Sequence, residues 1–263
     1  MQTKITDEKK LEIALAYQQG QSTIEIANNY GCSTTIVYRA LKLLETPRRT
    51  GGHQPPNFKD TYFDQINTEE KAYFLGLIIA DGSVCQPSRG GQKIFQLELL
   101  EQDNKLIAQL CQELQYPLSR IKTYQRTGRS ATSKVSITSN QLAKSLAKYG
   151  VVADKAPWTE LPTIDASLMR HALRGLYDGD GSIAKYRLVL TAGNTVILNQ
   201  VRDHLISTLS LNPKAIRIYK TGERAWALSI NRKLERQSVM KHLYQDASVA
   251  MQRKARWLGN QSE

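Results

Sequence analysis

Cysteine is scarce. Cys32, Cys85 and Cys111 are the only three, they lie far apart, and they form no CxxC pair. That excludes a disulfide scaffold and a zinc ribbon, and it suits a reducing compartment. The four histidines, His53, His171, His204 and His242, show no close ligand spacing. Long apolar runs are missing too. The longest, Ala72 to Ala80, is far short of the roughly 20 residues that span a bilayer, and the polar N-terminus carries no secretory signal. The expectation is a cytoplasmic, intracellular protein with no membrane association. Acidic residues are in deficit: 36 Lys and Arg face 24 Asp and Glu, a formal net charge of +12. Such a balance says little about fold but favours an acidic partner, most often nucleic acid. What remains is ordinary: 41% hydrophobic and 23% charged residues of mixed sign, enough for a packed core and unlike a disordered chain. A length of 263 residues fits a small module beside a larger one.

The small module is expected over residues 1–45. Asp7 to Gln19 has helical spacing, with Leu11, Ala14 and Leu15 on one face, and Gly20 stops it. Ser22 caps a short helix carrying Ile24, Ile26 and Ala27. Tyr30-Gly31-Cys32 is a turn, and Ser33 caps a third helix with Val37, Leu41 and Leu44 inward. Thr34, Thr35, Tyr38 and Arg39 fall on its polar side. Helix, short helix, glycine turn and capped polar helix resemble the helix-turn-helix modules of resolvases and transposases. That resemblance implies that those four residues face a DNA major groove. Residues 46–60 follow as a Pro/Gly-rich basic linker, with Arg48 and Arg49 suited to a phosphate backbone.

Beyond the linker, two segments echo each other about 100 residues apart. One runs Phe74-Leu75-Gly76-Leu77-Ile78-Ile79-Ala80-Asp81-Gly82, the other Leu173-Arg174-Gly175-Leu176-Tyr177-Asp178-Gly179-Asp180-Gly181. Each ends a helical stretch. Small residues four apart, Gly76 with Ala80 and Gly175 with Gly179, share one stripe and allow two helix backbones to approach closely. Gly82 and Gly181 stand where a left-handed terminating residue is expected. Asp81 and Asp180 stand at the negative end of each helix dipole, which is unfavourable unless a cation compensates. Helices packed side by side bring the two carboxylates together, a hard-oxygen pair suited to Mg²⁺.

These paired segments resemble the LAGLIDADG homing endonuclease family. The resemblance runs from Asn67 to Gly259, with Gly76 and Gly175 at the helix-packing position and Asp81 and Asp180 at the motif's last acid. Ile79 departs from the pattern where the second copy has Asp178. The implied activity is site-specific double-strand DNA cleavage by two-metal phosphodiester hydrolysis. Two or three Mg²⁺ ions would be held by Asp81 and Asp180 with Ala80 and Gly179 beside them. The same resemblance implies active-site roles for Glu101 and Gln102, whose counterparts Ala192 and Gly193 carry no such group, and for Lys155 and Lys254. A monomer on a long, non-palindromic duplex site is the implied assembly. A non-cleaving DNA-binding regulator or an intron RNA maturase on the same scaffold are the alternatives.

The flanking patterns are consistent with this. Strand-like Lys93 to Leu99 puts Phe95, Leu97 and Leu99 on one face. Arg120, Lys122, Tyr124 and Arg126 alternate with Ile121 and Thr123, and Lys134 lies on a similar strand with Val135 and Ile137 inward. In the second copy Lys185 and Arg187 alternate with Tyr186 and Leu188, and Arg217 and Tyr219 with Ile216 and Ile218. Asp246 to Leu258 is expected to end the chain as a helix. The fold class is α+β: a pseudo-two-fold pair of αββαββα halves, 61–160 and 161–263, with saddle-shaped antiparallel sheets, plus the small all-α module. One face of each sheet is rich in Arg, Lys, Tyr and Thr, side chains that suit phosphates and base edges.

Overall fold

Capping residues set where the first helices begin. Thr6 accepts from Lys9 N–H ahead of α1 (Asp7–Gln18). Ser22 and Glu25 close a reciprocal capping box at α2 (Thr23–Asn29), with bonds of 3.1 and 2.8 Å. Gly31, at φ +59, makes the turn into α3 (Thr34–Leu43). The computed structural model describes residues 6–46, 55, 57–87, 91–152, 160–184 and 186–256. The chain divides into two compact units, Met1–Lys59 and Asp60–Glu263.

The first unit packs its three helices around Ile13, Tyr17, Ile26, Ala27, Val37 and Leu41. Of the face expected on α1 only Ala14 is buried; Leu11 and Leu15 are 55% and 53% exposed, and on α2 Ile24 is 64% exposed while Ile26 and Ala27 are buried. Residues two apart on a helix lie about 200° from each other. Burying the Ile13–Tyr17 stripe therefore turns Leu11 and Leu15 out, and burying Ile26 does the same to Ile24.

In the second unit the first half runs α4 (Glu69–Asp81), β1 (Gly82–Cys85), β2 (Ile94–Leu100), α5 (Asn104–Glu113), β3 (Lys122–Tyr124), β4 (Thr132–Thr138) and α6 (Asn140–Ala147). The second half repeats that order. It runs α7 (Ala166–Asp180), β5 (Gly181–Ala184), β6 (Arg187–Ala192), α8 (Thr195–Leu209), β7 (Ile216–Gly222), β8 (Ala225–Ile230) and α9 (Lys233–Tyr244), and a short α10 (Gln252–Ala255) follows. Each half has a four-stranded antiparallel sheet, ordered β1-β2-β4-β3 in one and β5-β6-β8-β7 in the other. On β2, Phe95, Leu97 and Leu99 are buried, and Val135 and Ile137 of β4 join them.

α4 is buried on every side from Ala72 to Ile79, the pattern of a helix at the centre of a core. It crosses α7 glycine to glycine. A Cβ on Gly76 would run into the Ala172 carbonyl, and one on Gly175 into the Tyr73 carbonyl. Main chain therefore meets main chain at the crossing, and no side chain fits between.

Three details differ from the sequence pattern. Strands β1 and β5 start directly after the two acids, earlier than the alternation at Lys93 suggested. β3 is only three residues long, so Arg120 ends a 3₁₀ turn before it and Arg126 lies in the loop beyond. The helix expected from Asp246 is confined, among the described residues, to Gln252–Ala255. Asp246 has φ +57, and the Met251 N–H donates to the Asp178 carboxylate, so the intervening chain is bonded to α7 and does not coil on itself.

Candidate functional site

Asp81 and Asp180 are the last residues of α4 and α7, and both are exposed, while Ala80 and Gly179 before them are half-buried. The glycines that follow are not left-handed, as the sequence had suggested. Gly82 and Gly181 are extended, at φ/ψ −78/161 and −87/152. Glycine is needed there for room. A Cβ on Gly82 would lie 2.7 Å from the Ile78 carbonyl oxygen, and one on Gly181 would meet the Tyr177 carbonyl. The chain thus passes from helix to strand without a turn, which leaves each carboxylate at the helix–strand junction.

The small-residue stripe brings the junctions together. A Cβ on Gly179 would strike Ala80 and lie 2.9 Å from Asp81 Oδ2. The Asp81 carboxylate therefore lies over the last turn of α7, against Gly179. The Asp180 carbonyl accepts from Thr191 Oγ1 at 3.0 Å, which ties this junction to β6.

Lys254 completes the end of α7. Its buried ammonium donates to the carbonyls of Tyr177 at 2.8 Å, Asp178 at 2.6 Å and Gly181 at 2.6 Å. Those three bonds use every donor of an ammonium and pass over Gly179. A cation at this point also meets the negative end of the helix dipole. Burial pushes the Lys254 pKa down to about 8, while Asp178, Asp81 and Asp103 pull the other way. The family resemblance implied an active-site role for Lys254; here its donors are committed to backbone carbonyls.

Asp178, the acid unique to the second copy, is a core residue. It accepts from Tyr73 Oη at 2.8 Å, Tyr244 Oη at 2.7 Å and Met251 N–H at 2.7 Å. Burial raises its pKa, and these donors oppose the rise. One turn earlier, fully buried Arg174 donates to the carbonyls of Val249 and Leu243 and to Glu69 Oε1, at 2.8, 3.0 and 2.7 Å. Glu69 also accepts from Ser248 N–H at 2.8 Å. Residues 243–254 are thereby fastened along α4 and α7 from one end to the other.

The turn after β2 shows what sequence reasoning missed. Glu101 and Gln102 are exposed, and the Glu101 N–H donates to the Ala131 carbonyl at 2.9 Å. The buried acid is Asp103, which accepts from Arg253 Nε at 3.0 Å, beside Lys254. Its position just before α5 was the only signal available, and that signal reads equally as a helix cap. In the other half, Ala192 pairs with Trp226 across β6 and β8, and Gly193 is exposed.

The remaining candidates scatter by unit. Thr35, Tyr38 and Arg39 are exposed on α3 and Thr34 is half-buried, with Tyr38 Oη accepting from Thr23 at 3.4 Å. Lys122 and Tyr124 on β3 are exposed, as are Arg120 and Arg126 at its flanks; Lys134 on β4 is half-buried. Half-buried Lys93 joins β2 to α6, its N–H donating to Asn140 Oδ1 at 2.9 Å. Arg187, Arg217 and Tyr219 are exposed on the second sheet. Arg48, Arg49, Lys155 and Lys185 lie outside the described residues. Among the described residues no cluster of three or more His, Cys, Asp or Glu forms, and no helix is long and apolar enough to cross a membrane.

Two crossed helices, each ending in an acid and leading straight into a four-stranded antiparallel sheet, form the frame of the second unit. Within it, residues 70–135 match the family profile of the WhiA LAGLIDADG-like domain. Among solved structures, I-DmoI in complex with DNA and Ca is 17% identical with a TM-score of 0.50, over 76% of this chain and 98% of that one. Full-length DUF199/WhiA from Thermatoga maritima is 18% identical with a TM-score of 0.48, over 77% of this chain and 65% of that one. The I-LtrWI LAGLIDADG homing endonuclease bound to target DNA is 12% identical with a TM-score of 0.45, over 75% and 88%. At these identities the likeness is one of fold. No curated protein sequence matches the chain.

Proposed function

We propose that this chain is a site-specific endonuclease of double-stranded DNA, with Asp81 and Asp180 as its paired catalytic acids. The observation that carries the proposal is the junction itself. Two exposed carboxylates end two helices that cross on glycine, and Asp81 Oδ2 lies against Gly179. The donor set fits a hard divalent cation: carboxylate oxygens at the negative ends of two helices, with the backbone of Ala80 and Gly179 alongside. Mg²⁺ bound there would polarise the scissile phosphates and lower the pKa of water. The chain's own residues hold the frame: the glycine crossing sets the spacing of the acids, and Lys254 and Thr191 fix the end of α7. That I-DmoI was solved with DNA and Ca is consistent with the same use of this fold.

Supercoiled plasmid libraries incubated in Mg²⁺ test the proposal. The parent should linearise a subset of plasmids. Asp81→Asn and Asp180→Asn should lose cutting while keeping DNA affinity within a few-fold; normal cutting by either variant would falsify the assignment.

A second reading is a non-cleaving DNA-binding protein. The observation favouring it is the match of residues 70–135 to a domain described as LAGLIDADG-like and not as a nuclease. DNA retention without any cutting in Mg²⁺ or Mn²⁺ decides for that reading. In either case the three-helix unit, with Thr35, Tyr38 and Arg39 exposed on α3, is proposed as a second DNA contact. Deletion of residues 1–59 should then shorten the DNase footprint, and an unchanged footprint would exclude the contact.

A further inference from the structure

The outward face of the first sheet holds one acid among cations. Strand register places Glu98 directly across from Lys134, and Lys134 across from Lys122. Thr132 Oγ1 donates to Glu98 Oε1 at 2.8 Å, Arg126 stands 3.5 Å from the same oxygen, and Lys134 Nζ is 3.8 Å from Oε2. The side chains of Glu98 and Lys134 keep 27% and 24% exposure, so both stay within reach of a ligand on this face.

A carboxylate is a liability on a surface that meets a polyanion, because it repels phosphate. Its exposed ion pairs are worth too little to explain its presence. What the pair does supply is an acceptor beside a donor, at the roughly 5 Å spacing of cross-strand neighbours. The major-groove edge of a G·C pair is the complement: N7 and O6 of guanine accept, and N4 of cytosine donates. An A·T pair offers a different order and adds a methyl group.

We infer that Glu98 and Lys134 together select a G·C pair at one position of the first half-site, Lys134 donating to guanine and Glu98 accepting from cytosine N4. The assignment rests on the reading that the chain binds duplex DNA. Thr132 holds the acid through Oε1, and Oε2, which faces Lys134 Nζ at 3.8 Å, keeps a second lone pair for the base. The second sheet lacks the device. Its corresponding row is Thr191, Ala227 and Tyr219, joined by the same register, and Ala227 is buried at 1% exposure. Selection of this kind therefore belongs to one half-site only.

The test is binding selection from a duplex library randomised across the whole site, using the full chain and comparing it with Glu98→Gln and Lys134→Gln. The parent should enrich G·C over A·T by about tenfold or more at one position of one half-site. Glu98→Gln should admit A·T there, because a Gln side chain reads adenine, and should tighten binding to random DNA as a negative charge is lost. Lys134→Gln should relax the same position. A merely structural role for Glu98 would weaken all positions alike. A parental G·C preference that survives Glu98→Gln overturns the assignment alone. Duplex retained without enrichment at any position also overturns the assignment, and failure to retain any duplex overturns the DNA-binding reading and the assignment with it.

Discussion

Gly76→Ala is the most direct test of how the helix crossing serves the acids. The added methyl carbon would stand 2.8 Å from the Ala172 carbonyl carbon and 2.9 Å from the Leu176 nitrogen, closer still to the Ala172 oxygen. All three are backbone atoms, so no side chain can swing aside. Carbon contacts settle near 3.5–4.0 Å, so α4 and α7 must part by about 1 Å. Overpacking of this kind costs about 1–3 kcal/mol. The better helix propensity of Ala returns up to about 1 kcal/mol, so a net loss of roughly 1–2 kcal/mol is expected. On the proposed endonuclease reading the effect on cutting should be larger, because a 1 Å misplacement of reacting groups costs on the order of a hundredfold. Urea denaturation measures the first quantity, and single-turnover cleavage of a supercoiled plasmid the second. DNA affinity, measured by anisotropy, should change little, because the sheets are not at the crossing. Unchanged stability together with unchanged cutting would refute the claim that this contact sets the distance between Asp81 and Asp180.

The buried polar group at the other end of the helix pair gives a pH prediction. His171 is pushed down to about 4 by burial, and then by Arg174, whose guanidinium is 3.0 Å away. The unfolded chain takes up a proton near pH 6.5 and the native chain does not until near pH 4, so stability falls as pH drops through that window. Burial works to raise the Glu69 pKa, but the Ser248 N–H and Arg174 outweigh it and hold the group low, so Glu69 loses stability in the same direction on acidification. His171→Gln should flatten the histidine part of the slope between pH 6.5 and 4 in urea titrations, and a slope equal to the parent's would exclude it.

The repeat was legible because it is local. Gly76, Ala80 and Asp81 stand within one and a half turns of helix, and their copies at Gly175, Gly179 and Asp180 repeat the spacing, so periodicity alone gives the stripe and the terminal acid. Strand faces were legible for the same reason, as with Phe95, Leu97 and Leu99. What periodicity cannot carry is partnership across the chain. Asp178 looks like a motif acid until Tyr73 and Tyr244 are seen to hold it. Lys254 looks like a surface lysine until its ammonium is seen against the end of α7. Asp103 and Arg253 lie 150 residues apart, and no pattern in either neighbourhood announces the other. In the first unit, two apolar stripes on α1 were equally good by spacing, and only packing chose Ile13 and Tyr17 over Leu11 and Leu15.

The fastening of residues 243–254 along α4 and α7 has a consequence for synthesis. Arg174 and Asp178 are made some 70 residues before the groups that satisfy them: Leu243, Val249, Tyr244 and Met251. Until those residues leave the ribosome, a nascent chain carries a cation and an acid that have no finished place in the interior. The helix pair can collapse early through its glycines, but it cannot be completed early. The end of α7 beside Asp180 stays uncapped until Lys254 arrives. A growing chain thus holds both acids long before it holds them in position, and the last contacts to form are the ones that give the second junction its final geometry.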